Sequence, residues 1–559
     1  MKRYMEHMIR SAEKRTEEFL AHQMKDRGNI ADGAYETQLL EAKPTIYLLS
    51  TAAAVYVNQE SRFYHEPHLY DAMNRALDFV VRCQREDGSF DYPSCNFYSA
   101  ADTSFCFKRL IAAYRLLETY EKEGDAKELK DKYQWIMRRA LDSIATGGFH
   151  TPNHRWGIAA ALFQGSHLFE EPELSERLTK RAMMYIREGI DGNADGEYAE
   201  RSTGNYNAVV NNSMMALYEE TGNEEYLGYV ERNLQMMLTF IDPDDTIFTQ
   251  NSTRQDRGKA DYPDKYFYQY LYLASLSSSS EENCRLFDGA AHKIIRDNME
   301  RGDLAPDCLH IVMLHQRMKN FEFKEYGYLE HYRKFYEESG VVRVRRGNFG
   351  YSVLRGKDEF LYLKWKSTLI YVRIGESIGY NRDFQADEMK VMMEDREYEL
   401  SSTVENRYYL PWKEAPDTSD WWKMDHTERE VLVKGGVKLW VGVTEAEGGV
   451  ELSLKAEGIS RVPIRLQLCV PSGAVLENKS FCMETYPGAS MILREGDVVL
   501  HHEGQRIKIG PGFGLHAFKG HYSGEKVNSR GYTIYLNEYV PFERKVRLVL
   551  QGNEGDILE

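Results

Sequence analysis

Three polar stretches break the apolar pattern of the first half of the chain, and each carries residues that can move a proton or hold an anion. In GGFHTPNHRWGIAAALF, Thr151 suits a helix cap and Pro152 the first helical position. Asn153, His154 and Arg155 then fall in a first turn, where unpaired backbone N–H groups and the positive end of the helix dipole favour an anion. His154 could carry a proton near neutral pH. The plainer reading is that Asn153 and His154 only cap and pad the helix start.

In DGNADGEYAERSTGNYNAVVNNSMMALYEE, Ser202 or Thr203 is expected to cap a helix that begins near Asn205 and runs to Glu220, with Tyr206 in its first turn. In a ring of helices, starts at the same end would bring His154 and Tyr206 to one rim. Asp191, Asn193, Asp195 and Gly196 match the opening of a calcium loop, but Ser202 stands where a closing Glu belongs. A polar loop is therefore expected, with no metal or other cofactor. In FTQNSTRQDRGKADYPDKYFYQY, Arg254, Gln255 and Asp256 lie in a connector. A guanidinium there could clamp a carboxylate in bidentate fashion, or be an ordinary surface charge. Glu197, Glu200, Asp256 and Asp102 are the carboxylates from which an acid–base pair for glycoside hydrolysis would be drawn.

The elements that must position these groups change character along the chain. As far as Leu329, segments such as YDAMNRALDFVVRCQ and EEYLGYVERNLQMMLTFI repeat apolar residues at helical spacing, in pairs joined by short Gly, Asp and Asn connectors. Roughly 10 to 14 helices are expected, stacked as a solenoid or, preferably, closed into an α/α toroid with a cleft. From near Gly340 the pattern alternates in β-branched runs such as EFLYLKW, VKLWVGVTE and KVRLVLQG, which predicts an antiparallel β-sandwich. The expected organisation is α+β, with a toroid over 1–335 and a sandwich over 336–559.

The chain has 559 residues, 42% hydrophobic and 28% charged, the composition of a soluble globular protein. A net charge of −16 argues against a nucleic-acid partner. No stretch reaches the ~18 continuous apolar residues of a membrane span, and the charged first residues lack a signal-peptide core, so a cytoplasmic location is expected. Seven scattered cysteines without a C-x-x-C suggest reduced thiols. Oligomeric state is not legible.

Asn153-His154-Arg155-Trp156, followed by Tyr206 52 positions after His154, resembles the Asn-His … Tyr arrangement of heparinase II/III-like and alginate lyase-like polysaccharide lyases. Those proteins have a helical toroid followed by β-sandwich sheets, the order of elements read here. The resemblance implies β-elimination on a uronate-containing oligo- or polysaccharide. Asn153 would neutralise the sugar carboxylate, with Arg155 as helper; His154 or Tyr206 would remove the C5 proton, and Tyr206 would protonate the leaving oxygen. The family's further catalytic residue comes from the sandwich, where Tyr351, His426 and His331 are candidates. Trp156, Trp421 and Trp422 could stack on sugar rings, and Arg254 and Gln255 could bind substrate. Two other readings stay open: a hydrolase of the same fold using the carboxylates named above, and a non-catalytic glycan-binding protein.

Overall fold

A computed structural model describes the chain except residues 27, 123–124, 148–150, 277–280, 379, 393–395, 517, 519–520 and 552–559. It divides into two compact units: Met1–Ile241 with Asp245–Leu329, and Glu330–Glu559 with the tripeptide Asp242–Asp244.

The first unit is an α/α toroid. Its helices are α1 (Lys2–His22), α2 (Ala42–Tyr56), α3 (Pro67–Cys83), α4 (Ala100–Tyr120), α5 (Lys127–Thr146), α6 (Pro152–Leu168) and α7 (Pro172–Arg187). They continue with α8 (Tyr206–Thr221), α9 (Glu224–Leu238), α10 (Phe267–Ser275), α11 (Glu281–Arg301), α12 (Leu309–Leu314) and α13 (Gln316–Lys319). They sort into two rows. α2, α4, α6 and α8 are apolar or small on nearly all sides, as in GIAAALFQGS, and pack successively against one another. α3, α5, α7 and α9 carry one apolar stripe and a charged outer face, and each packs against its inner partner. No helix among the described residues is long and apolar enough to cross a membrane.

Among the described residues the second unit is a β-sandwich of two nine-stranded sheets. One runs from Cys482–Glu484 at its edge through Gly449–Gly458, Val431–Ala446 and Glu397–Tyr409 to Glu388–Met392. The other runs from Ser490–Ile492 through Pro463–Pro471 and Thr368–Ile378 to His331–Tyr336. Alternation decides which side chains enter the core. Leu400, Val441 and Leu454 are neighbours across three strands and all are buried. They pack in one apolar cluster with residues of the other sheet, among them Trp365, Ile374 and Leu466.

One polar group is built into this unit from outside its main sequence. Asp242 accepts from Arg343 Nη2 at 2.7 Å and lies 3.3 Å from Lys364 Nζ, which also pairs with Asp244 at 2.7 Å. The Asp242 and Arg343 side chains are 9% and 3% exposed.

Candidate active site

The starts of α4, α6 and α8 and the segments 197–204 and 249–257 bring most of the toroid candidates together. Pro152 opens α6 and leaves Asn153 wholly buried in its first turn. The Asn153 Nδ2 group donates to both oxygens of Glu200, at 2.8 and 3.0 Å, and the backbone N–H donates to Glu200 Oε2 at 3.2 Å. Arg254 Nε stands 3.3 Å from Glu200 Oε1, and the same guanidinium lies over the Tyr206 ring, 5.1 Å from its centre. The Tyr206 hydroxyl reaches Gln255 Oε1 at 3.4 Å. Burial raises the Glu200 pKa, although the Asn153 N–H groups and Arg254 pull the other way.

His154 sits half-buried beside Phe105 of α4, the rings edge to face at 5.8 Å. Burial lowers its pKa. The charges of Arg254 and Lys43 act in the same direction, and Asp102 opposes them. The lowering favours the neutral imidazole, the form that can accept a proton. Asp102 belongs to the support of this corner. It exchanges hydrogen bonds with its cap residue Ser99 (2.7 and 3.1 Å) and pairs with Lys43 at 2.7 Å.

The start of α8 is tied down by Ser202 and Asp256. Ser202 Oγ accepts from the Tyr206 N–H at 3.0 Å, but the helix begins at Tyr206 with Asn205 in the cap position, so neither Ser202 nor Thr203 is the cap residue expected. Asp256 accepts from Ser202 Oγ, Ser252 Oγ and the Gly204 N–H at 2.9, 2.6 and 2.9 Å. A Cβ on Gly204 would stand 2.9 Å from the Asp256 carboxylate, so only glycine lets the clip close unstrained. Asp256 is thus a fastening for the two loops. Glu197 is buried at the turn before Glu200, with Asn251 Nδ2 3.5 Å away.

Other expected residues lie elsewhere. The Arg155 guanidinium turns to Glu188 at 3.1 Å and Asp191 at 3.7 Å, and covers the Trp156 ring. Trp156 is fully buried and donates to Asp191 Oδ1 at 2.6 Å, so it offers no face to a sugar. The calcium-like loop closes on itself: Asn193 Oδ1 accepts from the N–H groups of Asp195 and Glu197 at 3.1 and 2.9 Å. Among the described residues no group of three or more His, Cys, Asp or Glu is placed to hold a metal.

Tyr351, in the second unit, is 1% exposed and stacks on Phe349 inside the sandwich. That removes it as a surface binding residue. Trp421 and Trp422 are exposed, at 52% and 89%, on a short turn of the same unit, where His426 Nε2 bonds Trp421 O at 2.8 Å. His331 opens the first strand of the sandwich and is exposed. Sequence reasoning missed Lys43 and Phe105. A lone lysine at the head of the otherwise apolar α2 was the available signal for the first.

No protein-family model and no curated protein sequence matches this chain. Solved structures do. A Paenibacillus xanthan lyase superposes over 99% of this chain with a TM-score of 0.60 at 10% identity, this chain spanning 58% of that one. Heparinase III superposes over 98% with a TM-score of 0.57 at 9% identity, and 86% of its own length is covered. The Streptomyces coelicolor A3 chondroitin AC lyase, solved in complex with chondroitin sulphate, superposes over 100% with a TM-score of 0.53 at 10% identity, with 80% of it covered. The chain has the toroid polysaccharide-lyase fold. The toroid-lyase fold accounts for the order of the two units, and it leaves chemistry to the residues.

Proposed function

We propose that the protein cleaves acidic oligo- or polysaccharides by β-elimination at the His154–Tyr206 site. What carries this reading is the half-buried His154, whose pKa is lowered by burial and further by Arg254, with that same guanidinium lying over the Tyr206 ring. Elimination requires that a uronate carboxylate be neutralised so that its C5 proton becomes acidic. Arg254, 29% exposed at its side chain, is the cation available for this. Asn153 is given a positioning role, because its N–H groups are already spent on Glu200. His154 accepts the C5 proton, and Tyr206 donates its hydroxyl proton to the departing glycosidic oxygen. The electron pair of the C5–H bond forms the C4–C5 double bond as the C4–O bond breaks, so the step needs no oxidant or metal.

A carboxylate-pair hydrolase has less support. Asp256 is saturated by three donors, and Glu200 is buried against Asn153 and Arg254.

The test is the ultraviolet absorbance of the conjugated double bond during incubation with uronate-containing oligosaccharides. Its rise in the wild type, reduced about a hundredfold to ten-thousandfold in His154→Ala and Tyr206→Phe, is the expected result. Sugar release without absorbance would overturn the lyase reading in favour of hydrolysis. Saccharide binding with no product at all would favour a glycan-binding protein.

A further inference from the structure

Beside the site lies a cavity of about 330 Å³ within the toroid. It meets the site through Phe105, whose ring faces His154, and through Asn205, which precedes Tyr206. Its volume is at the lower end of the ~300–1,000 Å³ usual for small-molecule pockets, which suits one sugar ring better than a stretch of chain or a small inorganic anion.

Its polar lining is dominated by donors. Arg109 Nη1 pairs with Asp307 at 3.0 Å and donates to His310 Nε2 at 3.0 Å. A guanidinium has no acceptor, so His310 Nε2 must be the lone-pair nitrogen and Nδ1 must carry the proton. His310 is 3% exposed and lines the cavity, and its Nδ1 has no hydrogen-bond partner. Lys108 also lines the cavity and makes no ion pair among the described residues. Burial, helped by the charge of Arg109 and opposed by that of Glu219, pushes its pKa down to about 7. A buried donor with nothing to donate to, beside a lysine that forms no ion pair among the described residues, is costly in one small space unless an anion visits it. Tyr47, beneath the Arg109 guanidinium, and Phe105 supply apolar ring faces.

We propose that this cavity receives one terminal uronate ring of the substrate, its carboxylate held by Lys108 and the Nδ1–H of His310. The idea rests on the elimination reading for the neighbouring site, and it makes that enzyme act at chain ends.

The test is calorimetric titration of D-glucuronate, D-galacturonate and D-mannuronate, with D-glucose as the neutral control. The proteins are the wild type, Tyr206→Phe, Lys108→Met, Lys108→Gln and Lys108→Arg. At least one uronate is expected to bind wild type and Tyr206→Phe comparably. Binding should weaken about tenfold to a hundredfold in Lys108→Met and Lys108→Gln, remain largely intact in Lys108→Arg, and be absent for glucose. Two neutral variants guard against misfolding of one. Unchanged affinity in whichever neutral variant folds, no uronate binding to wild type, or equal binding of glucose would each overturn the proposal. Lysine-dependent uronate binding by a protein that gives no ultraviolet-absorbing product from uronate-containing oligosaccharides would keep the pocket and discard the lyase chemistry.

Discussion

For His154 as the proposed base, the surroundings give the pH dependence a sign. Its pKa in the fold is lowered by burial, then by Arg254 and Lys43. The acid limb of kcat/KM should therefore lie below the ordinary imidazole value of about 6.5. Removing the positive charge with Arg254→Gln should move that limb upward while lowering the rate. Removing the opposing negative charge with Asp102→Asn should move it downward. A pH–rate profile of each variant decides; a limb that stays still in both would mean that His154 is not the titrating base. The same lowered pKa means that the folded state binds fewer protons than the unfolded, so this group costs stability as pH falls below about 6.5. The helix starts that carry His154 and Tyr206 are legible in the sequence because they are written locally, by Pro152 before the one and a polar Ser202 before the other. The pairing of Asn153 with Glu200 and Arg254 is not, because those partners lie far along the chain and nothing local announces contact.

At the level of elements, the site depends on how closely the inner helices approach. A Cβ at Gly157 of α6 would lie 2.7 Å from Phe105 Cε1 on α4. Gly157→Ala would gain up to about 1 kcal/mol of helix propensity, yet must displace the ring that faces His154. Activity should therefore fall about tenfold or more with little change in unfolding temperature, measured by kinetics beside calorimetry. Gly204→Ala should act differently. It opens the Asp256 clip, so both stability and activity should drop, the former by about 1–3 kcal/mol in denaturant unfolding. Helical spacing revealed the paired helices, whereas their sorting into an inner and an outer row shows only in the structure. Trp156 shows where that legibility stops: the sequence leaves it either a stacking platform or core packing, and the structure buries it, with its indole bonded to Asp191.

For the whole molecule, the Asp242 group ties stability to charge. Burial resists the Asp242 charge, but Arg343 and Lys364 outweigh it and hold its pKa below the usual carboxylate value. Its contribution is present above about pH 3.8 and is lost as pH falls through the lower folded pKa. Asp242→Asn leaves Arg343 charged and enclosed, and should destabilise the sandwich by about 3–5 kcal/mol in denaturant unfolding. An unchanged midpoint would show that Lys364 and Asp244 suffice. The alternating strands made the sandwich readable, whereas three residues between two helical segments gave no sign of belonging to it. That tripeptide bears on ancestry and engineering alike. A gene fragment cut at Leu329 encodes a sandwich lacking its own counter-ion, so this half cannot be exchanged as a cassette by end-to-end fusion. Any recombination that replaces it must carry Asp242–Asp244 along, from the middle of the other half.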